Sequence, residues 1–325
     1  MSDIINCYHS KFSGGIGDFL KGSSYLYKQA IKYGLSIDID WRQHPINQFI
    51  SSDCDDIYDP EAIIDIEDLR AIQCNNSNNW QDNMQDWISK IITEVATNHE
   101  YRPATISSWF SDLDKYHGND KHTYIKNSPV SSGFKKLAQN KLQFSSEIEK
   151  LFKKNKYKNY AIIHFRLGDR HTLPNIEESL AEYNQEIKDN YNLTKFNHDY
   201  DYYYYLIKKQ IKNNNFQNTI IMSDSNDFKK FVKEESNNKN NIHVLHFNSN
   251  HTAQQPGLLK YTDYNNGNGK NCYKDTAMDL KYVINSIKNV TYSCYAWGSG
   301  FVVWPSKIYD IPLEVYHLVN NKISV

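Results

Sequence analysis

The chain has 325 residues, of which 39% are hydrophobic and 14% aromatic, and its formal net charge is -1 at pH 7. This length fits two domains of average size, or one large domain, with a sizeable buried core. A near-neutral charge balance excludes functions that depend on long-range attraction to nucleic acid or to acidic membranes, because both partners select for basic surfaces. We therefore expect a globular protein whose basic residues act locally.

The start of the chain and its cysteines bear on the cellular compartment. The opening residues MSDIINCYHSKFSGG lack the charged and apolar regions of a secretory signal, and no later apolar run is long enough to cross a bilayer. The five cysteines are scattered and never form a CxxC pair: Cys7, Cys54, Cys74, Cys272 and Cys294. This pattern opposes both a disulfide framework and a zinc site, so we predict a cytoplasmic protein without a transmembrane segment.

The first part of the chain predicts a strand, a glycine turn and a helix. The strand INCYHSKF is followed by SGGIGD and then by FLKGSSYLYKQAIKYG, whose apolar residues recur at helical spacing until Gly34. The next residues, LSIDIDW, alternate as in a strand, so the opening is a βαβ unit and favours a parallel sheet. From about 45 to 155 the pattern is mainly helical and polar, and WQDNMQDWISKIITEVA is the clearest amphipathic helix.

A lysine-rich stretch, FKKNKYKN, precedes the strand YAIIHF and indicates a domain boundary between residues 155 and 156. Beyond it the strand patterns TIIMSD, NIHVLHF and NVTYSCY alternate with helical patterns. This second series predicts two α/β domains, comprising residues 1–155 and 156–325. The Asn-rich residues from SNHTAQQPG to YNNGNGKN predict a flexible loop that could serve as a lid.

The glycine turn is the first candidate for contact with a ligand. Gly14, Gly15 and Gly17 would let backbone N–H groups approach an anion at a helix N-terminus, where the macrodipole favours negative charge. The spacing is GGxG, and neither GxGxxG nor GxxxxGK[ST] occurs, so the chain has neither a dinucleotide fingerprint nor a P-loop. A tight turn with close helix packing explains these glycines equally well.

The end of the strand YAIIHF is a stronger candidate. Arg166 follows the packed residues of this strand, so its guanidinium would point into the crevice at the carboxyl end of a parallel sheet, where it suits a diphosphate. For His164 the favoured interpretation is a hydrogen-bonded core histidine. For Asp169, which could hold Arg166, cap a helix or touch substrate, the structural roles are favoured.

Two further strands end in small polar residues. Ser223 and Asp224 close the strand IIMSD and could form hydrogen bonds at the same sheet edge, although a simple helix cap explains them too. Ser293 lies in NVTYSCYAWGSGF, where a buried strand and turn is the plainer interpretation.

The order of these motifs resembles the GDP-fucose fucosyltransferase superfamily, which includes α1,2- and α1,6-fucosyltransferases and, more distantly, protein O-fucosyltransferases. The motifs are GGIGD, HFRLGD, MSDS and DTAMDLKYVINSIKNVTYSCYAWGSGFVVWP. HFRLGD is the most specific, and it matches HxRxGD at His164, Arg166, Gly168 and Asp169.

By this resemblance Arg166 would hold the β-phosphate of GDP-fucose. Asp224 would match the first acidic residue of the family motif FSDD, while Asp279 and Ser293 fall on the last motif. The chain departs from the family at Leu167, where a second arginine is usual. It also departs at Asp18, where asparagine is usual, and at Ser225, which replaces the second aspartate of FSDD. Leucine at 167 removes one cation from the environment of the diphosphate.

The resemblance implies a GT-B-like architecture, in which two Rossmann-like domains with parallel sheets face each other across a cleft. Residues 156–325 would bind the nucleotide-sugar donor, and residues 1–155 would bind the glycan acceptor. The implied reaction is inverting, metal-independent transfer of fucose from GDP-fucose to a glycan hydroxyl, without a cofactor. Arg166 would stabilise charge on the leaving diphosphate, and Asp18, then Asp169, is the candidate general base. The Asn, Lys, Ile and Tyr usage suggests an AT-rich genome and biosynthesis of a microbial or viral surface glycan.

Two alternatives remain open. One is a glycosyltransferase that uses another GDP- or NDP-sugar. A metal-dependent form of it could use a DxD pair, either Asp38 with Asp40 or Asp53 with Asp55, although Asp38 and Asp40 fit the exposed face of an alternating strand. The other alternative is a catalytically inactive protein that binds a nucleotide sugar or a glycan. A nucleic-acid partner is not expected, because the aromatic run YDYYYYL contains no cations.

Overall fold

The computed structural model describes residues 2–8, 15–51, 63–65, 80–108, 128–154, 157–167, 200–236, 241–245, 269–293, 299–319 and 322–324. The strands within these ranges are β1 (Ile4–Cys7), β2 (Ile37–Asp40), β3 (Ile50–Ser51), β4 (Ile64–Asp65), β5 (Ala104–Ser107), β6 (Gln143–Phe144), β7 (Tyr160–Arg166), β8 (Asn218–Ser223), β9 (Ile242–His243), β10 (Lys288–Ser293), β11 (Leu313–Val319) and β12 (Lys322–Ser324). The α-helices are α1 (Ile16–Lys32), α2 (Trp80–Thr97), α3 (Ser132–Lys141), α4 (Ser146–Lys153), α5 (Tyr200–Asn214), α6 (Asn226–Ser236), α7 (Gly269–Ile284) and α8 (Gly300–Ile308).

The first half of the chain forms a parallel sheet in the order β2-β1-β5-β4. The opening βαβ unit is present as predicted, since β1 pairs in parallel with β2, with Ile4 opposite Ile37. Apolar side chains of α1 and α2 pack against this sheet, and Leu26 and Ile92 are fully buried there. β4 and β5 were not expected, because their short segments lie in the part of the chain where helical patterns dominate.

The second half forms a sheet in the order β12-β11-β10-β7-β8-β9, in which only β12 pairs antiparallel with its neighbour. β7 lies in the middle and has helices on both faces. Ile163 and Phe165 face the core shared with α5 and α6, whereas Ile162 faces the core shared with α7 and α8. A strand that is buried on both faces needs an unbroken apolar run, which explains the sequence YAIIHF.

These two parallel sheets with their helices confirm the predicted α/β fold class. The boundary between residues 155 and 156 stays a prediction, because one apolar core draws on both sides of it, including Trp41 from the first half and Met222 from the second. Polar contacts also cross it. Gln139 on α3 donates to the backbone oxygen of Ile308 at 2.7 Å, and Lys281 on α7 pairs with Glu149 on α4 at 2.6 Å.

Several predicted segments lie partly or wholly outside the described residues. The Asn-rich segment between SNHTAQQPG and YNNGNGKN is one of them, as are Cys54, Cys74 and Cys294. Within the described ranges, no helix combines the length and the apolar character that a membrane span requires.

Candidate functional site

The centre of the candidate site is an ion pair between Arg166 and Asp224, at the carboxyl ends of β7 and β8. Phe165 lies opposite Ser223 in the register of these strands, so Arg166 and Asp224, which follow them, are neighbours. One oxygen of Asp224, Oδ2, contacts Nη1 of Arg166, and the other, Oδ1, accepts the backbone N–H of Leu167 at 2.9 Å. Asp224 therefore fixes both the guanidinium and the backbone that carries it.

This ion pair is largely removed from water, with side-chain exposures of 12% for Arg166 and 7% for Asp224. Salt screens such a pair much less than an exposed one. Removal of either partner would leave a buried charge without compensation, which is strongly destabilising. The guanidinium is thus held in place before any ligand arrives.

The serines around Asp224 shape the start of α6. Ser223 accepts the backbone N–H of Ser225 through its hydroxyl at 3.1 Å, and Ser225 in turn accepts the N–H of Phe228 at 3.2 Å. The second contact is a helix N-cap. The capping interpretation therefore applies to Ser225, while Ser223 holds the turn that positions Asp224.

His164 and Ser293 lie beside this ion pair on β7 and β10. Nδ1 of His164 is 3.2 Å from Oγ1 of Thr291, and burial lowers the pKa of His164 to about 4. The imidazole is therefore neutral at physiological pH, as expected for a core histidine. Ser293 is fully buried and is opposite Arg166 in the register of β7 and β10.

Asp279 approaches the same region from α7. It is buried, and its negative charge raises the pKa of His164 against the larger effect of burial. The structure thus brings five predicted residues together around the ends of three neighbouring strands, and Asp279 on α7 acts electrostatically on the first of them: His164, Arg166, Ser223, Asp224 and Ser293. Gly14, Gly168 and Asp169 lie outside the described residues.

Gly17 packs α1 against α8. A β-carbon at Gly17 would lie 2.0 Å from the backbone carbon of Gly300 and 2.3 Å from its oxygen, so no other residue fits without a shift of the backbone. Gly15 is the N-cap of α1, and its oxygen accepts the N–H of Asp18 at 2.9 Å. Close helix packing therefore accounts for Gly17, and contact with an anion at Gly15 stays a prediction.

Asp18 lies in the first turn of α1, where the helix dipole favours a negative charge. Its side chain is 40% exposed and forms a loose ion pair with Lys21 at 3.8 Å. This exposure is compatible with access by a substrate hydroxyl. A role of Asp18 as general base remains a prediction.

The two carboxylates of the DxD pair on β2 are less exposed than the alternating pattern predicts. Asp40 is fully buried and binds Arg42 through its side chain at 2.7 Å, and Asp38 pairs with Lys141 on α3 at 2.7 Å. The expectation that both carboxylates face solvent is wrong, because the neighbouring cations compensate their burial. Among the described residues, no group of three or more His, Cys, Asp or Glu side chains could hold a metal ion, and Asp53 and Asp55 lie outside this part.

Sequence patterns alone did not point to three buried polar residues near the strand ends. Lys229 on α6 is 1% exposed and its charge acts on His164. Nε1 of Trp41 and Nε2 of His44 are buried at the carboxyl edge of the first sheet and have no hydrogen-bond partner among the described residues. Such donors usually bind an ordered water. Lys229 had one usable signal, since helical spacing aligns it with Val232 and Ser236, which are also buried.

The two buried histidines predict a loss of stability in mild acid. Burial lowers the pKa of His44 to about 3 and that of His164 to about 4, below the unfolded value of about 6.5. As the pH falls below about 6.5, the unfolded chain takes up protons that the folded chain does not. The two histidines therefore contribute stability above this pH that is lost towards pH 4, at up to about 2.7 kcal/mol per pH unit.

Urea unfolding between pH 7.5 and 4.5 measures this slope. We expect His44→Gln and His164→Gln each to reduce this slope by up to about 1.4 kcal/mol per pH unit, which corresponds to one proton fewer taken up on unfolding. The exposed His99 provides the control for the substitution itself, and His99→Gln should leave the stability at pH 7.5 unchanged. Equal slopes in the unchanged protein, His44→Gln and His164→Gln would show that the buried imidazoles do not control acid stability.

Comparisons with known proteins give no match at the level of sequence, either to a family model or to a curated protein. Solved structures give weak overall matches. NodZ α-1,6-fucosyltransferase soaked with GDP-fucose is 12% identical with a TM-score of 0.44, over 99% of this chain and 97% of that chain. NodZ from Bradyrhizobium is 12% identical with a TM-score of 0.42, over 98% of both chains. POFUT1 in complex with GDP-fucose is 11% identical with a TM-score of 0.46, over 96% of this chain and 97% of that chain.

Proposed function

We propose that the protein is a glycosyltransferase that transfers fucose from GDP-fucose to a hydroxyl group of a glycan, with inversion and without a metal ion or cofactor. The observation that carries this proposal is Arg166 in HFRLGD, held by Asp224 at the carboxyl edge of a parallel sheet. Ligands of open α/β sheets bind at this edge. The motif to which Arg166 belongs is also the most specific part of the resemblance to GDP-fucose fucosyltransferases.

The chemistry of the leaving group explains why a fixed guanidinium matters. Negative charge accumulates on the diphosphate as the bond to the sugar breaks, and a cation that is already in place stabilises this charge without reorganisation. A guanidinium carries five N–H donors in a planar fork, so pairing with Asp224 through Nη1 is compatible with a second, phosphate partner. Asp224 is then a positioning residue.

The remaining site residues have proposed roles around this centre. In a GT-B-like arrangement the second sheet would hold the donor through His164, Gly168, Ser223, Asp279 and Ser293, and the first half would present the glycan acceptor. Asp18, and after it Asp169, would accept the proton of the acceptor hydroxyl. Gly14 and Gly15 would direct backbone N–H groups towards the diphosphate at the start of α1.

A second candidate function is binding without catalysis, or transfer from a different NDP-sugar. The observation that favours it is Leu167, which stands in the place of the second arginine of the family motif and is fully buried in the apolar core of the second sheet. This position therefore contributes no charge to a diphosphate.

Calorimetric titration with GDP, UDP and ADP, with and without EDTA, tests the donor assignment. We expect selective binding of GDP that EDTA does not change, followed by release of GDP from GDP-fucose when a suitable glycan is present. A preference for UDP, or binding that EDTA abolishes, would contradict the GDP-fucose proposal. GDP binding with neither transfer nor donor hydrolysis across a broad acceptor panel would favour the inactive binding protein.

A further inference from the structure

Lys229 is the only lysine or arginine that is fully buried among the residues the structure describes. Burial of an ammonium group is costly unless charged or polar partners surround it, so such a lysine is rarely incidental. It is the fourth residue of α6, which begins directly after the turn that contains Asp224 and Ser225. The next residue, Lys230, is 66% exposed and has the usual position of a lysine on a surface helix.

The geometry of α6 directs the side chain of Lys229 towards the strand ends. Side chains on a helix lean towards its N-terminus, and residues four positions apart share a face. We therefore expect the side chain of Lys229 to extend over Ser225, whose backbone oxygen accepts the backbone N–H of Lys229 at 3.1 Å. Phe228 fixes the rotation of the helix, because its ring packs against Phe165 at 5.0 Å between centroids and against Tyr203 at 5.8 Å.

The charges of Lys229 and Arg166 both affect the pKa of His164. Both cations lower the pKa of His164, while the carboxylates of Asp224 and Asp279 raise it. Two cations and two carboxylates thus act electrostatically on one imidazole of β7, whose pKa is lowered mainly by burial. A diphosphate that arrives there brings further negative charge, which a second cation beside Arg166 would stabilise.

We propose that Lys229 is the second cation of the donor site and contacts the diphosphate together with Arg166. It supplies from α6 the positive charge that Leu167 cannot supply from the end of β7. This inference rests on the proposed GDP-fucose donor and adds a residue that the sequence resemblance does not contain.

The test compares binding of GDP with binding of GMP, which lacks the β-phosphate. By calorimetry, Lys229→Met should bind GDP about 10- to 100-fold more weakly than the unchanged protein does, which is the factor expected for one charged hydrogen bond. Its affinity for GMP should change little. Lys230→Met removes a lysine at the adjacent position of the same helix and should leave both affinities unchanged.

A merely structural role of Lys229 would alter GDP and GMP binding alike, so the ratio of the two affinities is the deciding readout. Lys229→Gln provides a second variant without the charge that keeps hydrogen-bonding groups for the folded state. If the ratio of GDP affinity to GMP affinity in a folded variant equals that of the unchanged protein, the role of Lys229 is overturned and the donor assignment stands. Absence of GDP binding to the unchanged protein would instead overturn the donor assignment, and with it the role of Lys229.

Discussion

Arg166→Ala should reduce the rate of the proposed fucose transfer by about 100-fold or more. The expected size corresponds to the loss of one preorganised charge contact to a leaving group, which commonly costs two to three orders of magnitude in kcat. The substitution also leaves the buried carboxylate of Asp224 without its partner, so part of the effect will appear as reduced stability. Initial rates with GDP-fucose and thermal unfolding, measured on the same preparation, separate the two effects.

Arg102 provides the matched control for Arg166. It forms an ion pair with Asp3 at 2.9 Å, where β1 and β5 begin and thus at the amino edge of the first sheet. Arg102→Ala should therefore reduce stability and leave the rate of the folded protein unchanged. If the two variants lost activity in proportion to their lost stability, Arg166 would have no specific part in transfer.

Gly17→Ala should destabilise the folded state severely, although it adds only one methyl group. The new β-carbon would lie 2.0 Å from the backbone carbon of Gly300 and 2.5 Å from the backbone nitrogen of Phe301, and no rotation of a side chain can relieve such contacts. α1 and α8 would have to separate, so we expect destabilisation of about 3 kcal/mol or more, at the upper end of the range for overpacked sites. Urea unfolding at neutral pH measures the change.

Gly300→Ala tests the same helix contact from the other side. Its β-carbon would meet its nearest atom, the backbone carbon of Gly17, at 3.3 Å, which requires a shift of only a few tenths of an ångström. We expect this variant to be destabilised far less than Gly17→Ala. Similar values for the two alanine variants would mean that the α1–α8 contact is more compliant than its geometry indicates.

Regular patterns in the sequence predict the buried elements well, because burial leaves a local signature. The apolar run of β7 and the helical spacing of α1, α2 and α6 each point to the observed element. β4 and β5 were missed, since β4 has only two residues and both strands lie where helical and polar patterns dominate the sequence. Their place in the first sheet depends on pairing with residues distant in sequence.

The candidate site divides in the same way. The position of Arg166 follows from a general rule about the ends of parallel strands, so the sequence is sufficient to find it. Its partner Asp224 is 58 residues away, and the burial of Asp40 depends on how Arg42 folds back, so neither contact has a local pattern. Lys229 escapes notice because a lysine on an amphipathic helix normally marks the solvent side.

The contact between Gly17 and Gly300 also limits how the two halves of the chain can be recombined. Helix α1 belongs to the first sheet and α8 follows the central strands of the second, so their backbones touch where the halves meet. A chimera that takes one half from another protein must match this glycine pair and the shared apolar core around Trp41 and Met222. Engineering of this protein is therefore better directed at loops than at the exchange of a whole half.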